Sequence, residues 1–576
     1  MKGKFAASVL GVGAVALAIA ATLGKSPQHP IQPSAVVKSY IVQGADVAAA
    51  RAGVTAAGGV VSAELGIVRA VSARLSPAQA QRLRAGGELR VFEDATLRTA
   101  SKKRASIANN TGVQFVNGSA VTPDKNFTTN YPALIGASEL QQRGLTGRGI
   151  NIAVLDTGLW TKPGDDLRKR VVATVDLVGT SNRPVTDDAY GHGTHITSIA
   201  AGAIKNPKDG RTFGIAPDAG VVVVRAFDGE GAGSYTDVIE GIQWVIANRA
   251  NHNIRVLNLS FGAPPQSNYW DDPLNQAVMQ AWRAGIVVVA AAGNEGPEPM
   301  TIGVPGNTPY VITVGALTDN YTPFDGSDDR LASFSSAGPT HEGFVKPDLV
   351  APGGHMVGSL SSSSFLGNID PLSMTKKDSL FVMSGTSQAT AVTSGVVALM
   401  LQANPALQPD TVKCRLLAAA RPAVNPQGSL AYSVFQQGAG LIDAVGAADG
   451  TASGCANLGL NVSADIAGTQ HFGGPANQDS NGNYYVMDME ASDWATPLAS
   501  DGYTWSRGYT WSRGYTWSRG FTWSRGYTWS RNTAWTSGFT WSRGYTWSRT
   551  LPWWDSPGSV NMSTRSTSAP WVVAHE

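Results

Sequence analysis

Apolar and polar positions alternate through Val36-Val37-Lys38-Ser39-Tyr40-Ile41-Val42, which predicts a β-strand. Val47 to Ala57 reads as a helix with Asp46 as N-cap, and Gly58-Gly59 ends it. Val60 to Val68 predicts a second strand. Ser76-Pro77 opens another helix, with the serine as cap and the proline at the first helical position. Leu89-Arg90-Val91-Phe92 closes the block as a strand. The order strand-helix-strand-strand-helix-strand is ferredoxin-like, so residues 34–99 are expected to form a small α+β domain.

From 131 to 450 the pattern changes. Continuous apolar runs stand at Ile150 to Leu155, Val221 to Arg225, Ile254 to Leu259, Ile286 to Ala291 and Val311 to Val314. Runs of this kind suit parallel strands buried on both faces. Thr236 to Arg249 and Pro273 to Ala284 read as covering helices. The expected fold class is α/β, a parallel sheet with helices on both faces.

The segments around these domains are distinct. Lys2 and Lys4 precede an uncharged run, Phe5 to Ala20, that ends in Ala18-Ile19-Ala20. This predicts a cleaved signal peptide over 1–22, with an uncleaved anchor as the alternative. Residues 100–130 contain Ser101-Lys102-Lys103-Arg104 and little periodicity, which predicts an exposed linker open to proteolytic processing. Residues 451–501 read as a spacer. From Gly502 to Arg549 a six-residue unit, Gly-Tyr-Thr-Trp-Ser-Arg, recurs with eight tryptophans. Its even period would set Tyr, Trp and Arg on one face of a strand and Gly, Thr and Ser on the other, so this tail is β-prone or irregular. Three readings stay open for it. They are a structural stack or low-complexity spacer, a surface that binds cell-wall glycan or another polymer, and a stacking platform for single strands. The tail 550–576 is expected to be loosely ordered.

Composition narrows the classes. A net charge of +2 gives no reason to expect a nucleic-acid partner for the chain as a whole. Two cysteines, Cys414 and Cys455, allow one disulfide or two separate thiols, and are too few for a structural zinc site.

Four segments carry chemistry. Asp156 follows a buried strand in Val154-Leu155-Asp156-Thr157-Gly158, where open α/β sheets place their sites. Aspartic proteases also use Asp-Thr-Gly but need two such carboxylates, and no second copy is present. His192 lies in Gly191-His192-Gly193-Thr194-His195, where the glycines expose the ring. Its His-x-x-His spacing also admits a metal pair, without the neighbouring Glu usual in a zinc hydrolase. Ser387, in Ser384-Gly385-Thr386-Ser387-Gln388, precedes a helix over Gln388 to Gln402 and lies in the positive end of its dipole. Asn294 sits on a loop, Ala291-Ala292-Gly293-Asn294-Glu295-Gly296, after a buried strand; it makes a turn or serves as an oxyanion donor.

Taken together, these segments resemble the subtilisin-like serine proteases, which keep the triad order Asp…His…Ser. Gly214-Ile215-Ala216-Pro217, Leu257-Asn258-Leu259-Ser260-Phe261-Gly262, Phe334-Ser335-Ser336-Ala337-Gly338-Pro339 and Gly438-Ala439-Gly440 are similar too, and the resemblance covers about Tyr131 to Asp449. It implies a subtilisin-like fold and a secreted serine endopeptidase with Asp156, His192 and Ser387 as triad and Asn294 in the oxyanion hole. It also implies a substrate pocket lined by Ser260, Phe261, Gly262, Ala291, Ala292 and Gly293, with Gly231 to Tyr235 on the other side. Residues 34–99 resemble an inhibitory propeptide, so the resemblance implies a zymogen that cuts itself within 100–130. The implied partners are protein or peptide substrates and the propeptide, with a monomeric enzyme and no cofactor for the chemistry. Structural calcium accompanies this family, although no Asp-rich loop identifies its ligands. The chain departs from the family's Met and Pro after the serine, where it has Gln388 and Ala391. The segment Gly353 to Met383 is longer than usual.

Overall fold

The computed structural model of the 576-residue chain describes residues 36–99 and 130–487, apart from 163–164, 180–186, 206–209, 321, 323–325, 376–378, 425–429 and 480. It also describes short strands at 114–116, 119–121, 515–518, 539–540 and 546–547. The expected signal peptide, most of the linker, most of the repeat and the tail lie outside the described residues.

The first domain has the expected element order. Strands Lys38–Gln43, Val60–Leu65, Ala70–Leu75 and Arg90–Glu93 form one antiparallel sheet, with helices Val47–Ala56 and Pro77–Ala85 between them in sequence. Asp46 caps the first helix through the amide of Ala49, and Ser76 and Gln79 form a reciprocal capping box on the second. The second strand stops at Leu65 and not at Val68, because residues 66–68 turn into a 3-10 helix.

In the second domain the main sheet runs, in spatial order, Arg330–Leu331, Ile312–Thr318, Val287–Ala291, Ile254–Leu259, Asn151–Asp156, Gly220–Arg225 and Val171–Asp176. Leu349–Pro352 also pairs in parallel with Ile312–Thr318. All of these pairings are parallel except that of Arg330–Leu331. The central strands are apolar throughout because helices cover both faces. Val171–Asp176 escapes a search for continuous apolar runs because it is an edge strand, half exposed along its length.

The spacer is not separate. Residues 462–473 fold back on this domain, where Phe472 joins the main core and buried Asp465 accepts the hydroxyls of Tyr269 (2.6 Å) and Tyr310 (3.0 Å). A disulfide joins Cys414 to Cys455. In the repeat, Tyr515–Ser518 pairs antiparallel with Gln470–Gly473.

The two domains meet across a built interface. Helices Tyr235–Asn248 and Pro273–Arg283 face the first domain: Gln280 donates to the carbonyl of Ile67 (3.0 Å), and Gln43 donates to Gln276 (2.6 Å). Asp94 accepts the backbone N–H (2.9 Å) and hydroxyl (2.8 Å) of Thr236, so a carboxylate of one domain caps a helix of the other. Beyond Asp94 the chain leaves the first domain as strand Thr96–Thr99. That strand lies between Ala232–Ser234 and Phe261–Gly262 and pairs antiparallel with both. Leu97 is fully buried in the main core, a burial that contributes about 2 kcal/mol to holding the strand in place.

Candidate active site

Asp156 is the last residue of the central strand, at the carboxyl end of the parallel sheet. His192 is the first residue of helix His192–Ala201, all of which is buried. Gly191, with φ 106°, supplies the left-handed turn that leads into it. Ser387 belongs to helix Thr386–Ala403, which starts two residues earlier than the sequence pattern indicates. The nucleophile candidate therefore lies inside the first turn, among the N–H groups that a helix leaves without intrahelical partners.

The fold brings the first two together. His192 Nδ1 lies 2.8 and 3.0 Å from the two carboxylate oxygens of Asp156. With that nitrogen donating, Nε2 is the basic one, and it is buried without a hydrogen-bond partner among the described residues. Thr157 N–H donates to Asp156 Oδ1 at 2.8 Å and fixes the carboxylate further. Asp156 thus serves the histidine and not a second carboxylate.

Ser387 Oγ donates to the carbonyl of Ser260 at 3.0 Å, and Ser260 Oγ donates to the carbonyl of Ser387 at 3.1 Å. Asn258 holds Ser260 through Nδ2 (2.9 Å) and is itself held by Ser394 (2.8 Å). In this arrangement the Ser387 hydroxyl bonds to the Ser260 carbonyl. Catalytic hydrogen bonds commonly tighten only when substrate binds.

Asn294 Oδ1 accepts the backbone N–H of Thr386 (3.0 Å) and its hydroxyl (2.9 Å). Sequence reasoning did not single out Thr386, although it precedes the nucleophile; its hydroxyl also accepts Gly293 N–H at 3.3 Å. Ser260, Phe261, Ala291 and Ala292 are buried, while Gly262 and Gly293 are half-buried along the cleft.

His195 contacts Phe381 and Gln388. Burial pushes its imidazole down to about 3, so the ring is neutral. Its Nε2 lies 3.0 Å from the carbonyl of Phe381, and its Nδ1 lies 3.4 Å from Gln388 Nε2. Among the described residues no three His, Cys, Asp or Glu side chains are grouped to hold a metal ion, so the calcium expectation gains no ligand set. The long segment 353–383 forms a small antiparallel sheet of Met356–Ser359, Leu380–Met383 and Met374–Thr375 beside the His192 helix. Ser198 Oγ accepts Ser359 N–H there at 2.8 Å.

Comparison with known proteins agrees with this geometry. The model of the subtilase family matches residues 147–440, just over half of the chain. The chain belongs to the subtilase family. This subtilase is 41% identical over 284 residues to the serine protease AprX of Bacillus subtilis, covering 48% of this chain and 63% of AprX. It is 31% identical over 317 residues to subtilisin DY of Bacillus licheniformis, covering 55% of this chain and 96% of that enzyme. The fold is also that of fervidolysin from Fervidobacterium pennivorans, at TM-score 0.55 and 24% identity. That alignment covers 73% of this chain and 62% of fervidolysin. The chain therefore spans less than two thirds of AprX and of fervidolysin. Among the described residues no helix is long and apolar enough to cross a membrane.

Proposed function

We propose that this subtilase is a secreted serine endopeptidase, made as a zymogen and inhibited by its own first domain. Ser387 Oγ attacks the scissile carbonyl, and His192 Nε2 takes the proton and returns it to the leaving amine. Asp156 orients the imidazole and stabilises its cationic form. The Asn294 amide and the Ser387 backbone N–H hold the oxyanion. Peptide substrates enter as an added strand between Ala232–Ser234 and Phe261–Gly262, so main-chain bonds supply affinity and side-chain pockets supply preference.

One observation carries this reading. Thr96–Thr99 already occupies that slot as a strand, running toward the nucleophile from a domain docked by Gln43, Arg90 and Asp94. A chain seated in this way blocks substrate and presents its own continuation for cleavage. The test is expression of wild type and Ser387→Ala without other proteases. Wild type is expected to lose its first domain and hydrolyse a quenched peptide, while the variant stays full length and inactive. A variant processed like wild type, or a wild type that hydrolyses nothing once the first domain is gone, overturns the proposal.

A further inference from the structure

Asp188 is almost fully buried, four residues before His192, and no ion pair is assigned to it among the described residues. Burial raises its carboxyl above the usual range, against the hydrogen bonds it accepts. Its Oδ1 accepts Gly191 N–H (2.7 Å) and the Thr157 hydroxyl (2.8 Å). Its Oδ2 accepts Thr194 N–H (2.8 Å) and the Thr194 hydroxyl (2.7 Å).

The direction of these bonds is fixed by their neighbours. Thr157 Oγ1 accepts Gly193 N–H at 2.9 Å, and Thr194 Oγ1 accepts Trp160 N–H at 2.8 Å. Each hydroxyl therefore still has its own proton to donate to Asp188. The Asp188 carboxyl thus accepts at all four contacts.

The bonds have a second property. Thr157 follows Asp156, and Trp160 lies on the same loop; Gly191, Gly193 and Thr194 surround His192. Each threonine hydroxyl bridges that loop to the helix entrance, and Asp188 binds both hydroxyls. Gly193 fits this junction closely, since a Cβ there would stand 2.3 Å from the carbonyl of Gly158 and 3.2 Å from Asp156 Cβ.

We propose that Asp188 is a positioning residue: through Thr157 and Thr194 it holds the Asp156 loop and the His192 helix at the spacing that keeps the two catalytic side chains paired. It touches neither substrate nor the reacting atoms. The inference rests on the peptidase reading above and explains why threonine hydroxyls follow both Asp156 and His192-Gly193.

The test compares Asp188→Asn, Thr157→Val and Thr157→Ser as processed enzymes, with active sites counted by a fluorophosphonate burst. Asparagine has nearly the same shape, yet its amide group must face at least one of the N–H donors that the carboxylate now accepts. Asp188→Asn is expected to lower kcat by about 10–100-fold with KM within about two-fold, because misplaced catalytic groups cost rate and not substrate affinity. Thr157→Val is expected to lower kcat in the same way, and Thr157→Ser, which keeps the hydroxyl, to restore it. The threonine pair keeps the test decisive should Asp188→Asn not fold. A purely structural role would lower the count of active sites and leave kcat per site unchanged, and that result overturns the proposal, as does equal kcat in the valine and serine variants. A wild type that fails to turn over peptide sinks the peptidase reading instead, so the two failures are separable.

Discussion

The carbonyl of Ser260 accepts the Ser387 hydroxyl at 3.0 Å, and the next residue, Phe261, is the register partner of Thr99. In an antiparallel ladder one step forward on one strand is one step back on the other. A substrate strand continued in this register by one step would set its next residue opposite Ser260, whose carbonyl bonds Ser387. The first cut is expected between Ala100 and Ser101. Intact mass of the released first domain checks this, since its last residue should be Ala100. A first domain that ends at any other residue shows that the strand is not a substrate in this register.

Asn294 holds Thr386 through its carbonyl oxygen, and in the proposed mechanism its amide nitrogen serves the oxyanion. Asn294→Ala is expected to lower kcat by about 10²–10³-fold with little change in KM, which is the loss established for the corresponding donor in subtilisin itself. Steady-state kinetics on a peptide amide measures it. An unchanged kcat removes Asn294 from the site.

Glu342 gives a pH signature away from the active site. Its Oε1 accepts Tyr269 N–H at 2.9 Å, and burial pushes its carboxyl up to about 7 from 4.5. The folded state therefore holds this proton where the unfolded chain has released it. The stability it contributes is present below about 4.5 and is lost as pH rises through about 7, in total about 3 kcal/mol. Glu342→Gln has no proton to lose there. The Tm of the variant is expected to gain on that of wild type between pH 5 and pH 8, while the other titrating groups are common to both. A Tm difference that stays constant across this range contradicts the assignment.

Much of the fold was legible because its strands obey simple patterns. Ile152 to Leu155 and Val287 to Ala291 are apolar without interruption, as strands covered on both faces must be, and Asp46 and Ser76 mark helix starts through hydrogen bonds that a short polar side chain makes locally. The weaker elements were hidden for physical reasons. Val171–Asp176 is half exposed at a sheet edge, and Leu349–Pro352 is short and ends in proline. The packing of residues 462–473 on this domain leaves no pattern in the sequence, because Asp465 and Phe472 are single anchors in a polar stretch and a single buried residue leaves no period to read.

The site divides along the same line. Glycines and strand ends frame Asp156, His192, Asn294 and Ser387, so their segments stand out in the sequence. Asp188 and Thr386 do not stand out in this way, since what marks them is the set of hydrogen bonds they make to distant residues, which shows only when partners are placed in space. The state of Cys414 and Cys455, left open by spacing, is fixed by their Cα atoms standing 5.2 Å apart across a disulfide.

The central claim is that Ser387 becomes a nucleophile through His192 once the strand Thr96–Thr99 leaves the cleft. Fluorophosphonate labelling, followed by peptide mapping of protein freed of its first domain, measures this directly. The account predicts one adduct, on Ser387, fast in wild type, absent in Ser387→Ala and slowed by several orders of magnitude in His192→Ala. An adduct on another residue, or equal labelling rates in wild type and His192→Ala, would contradict it.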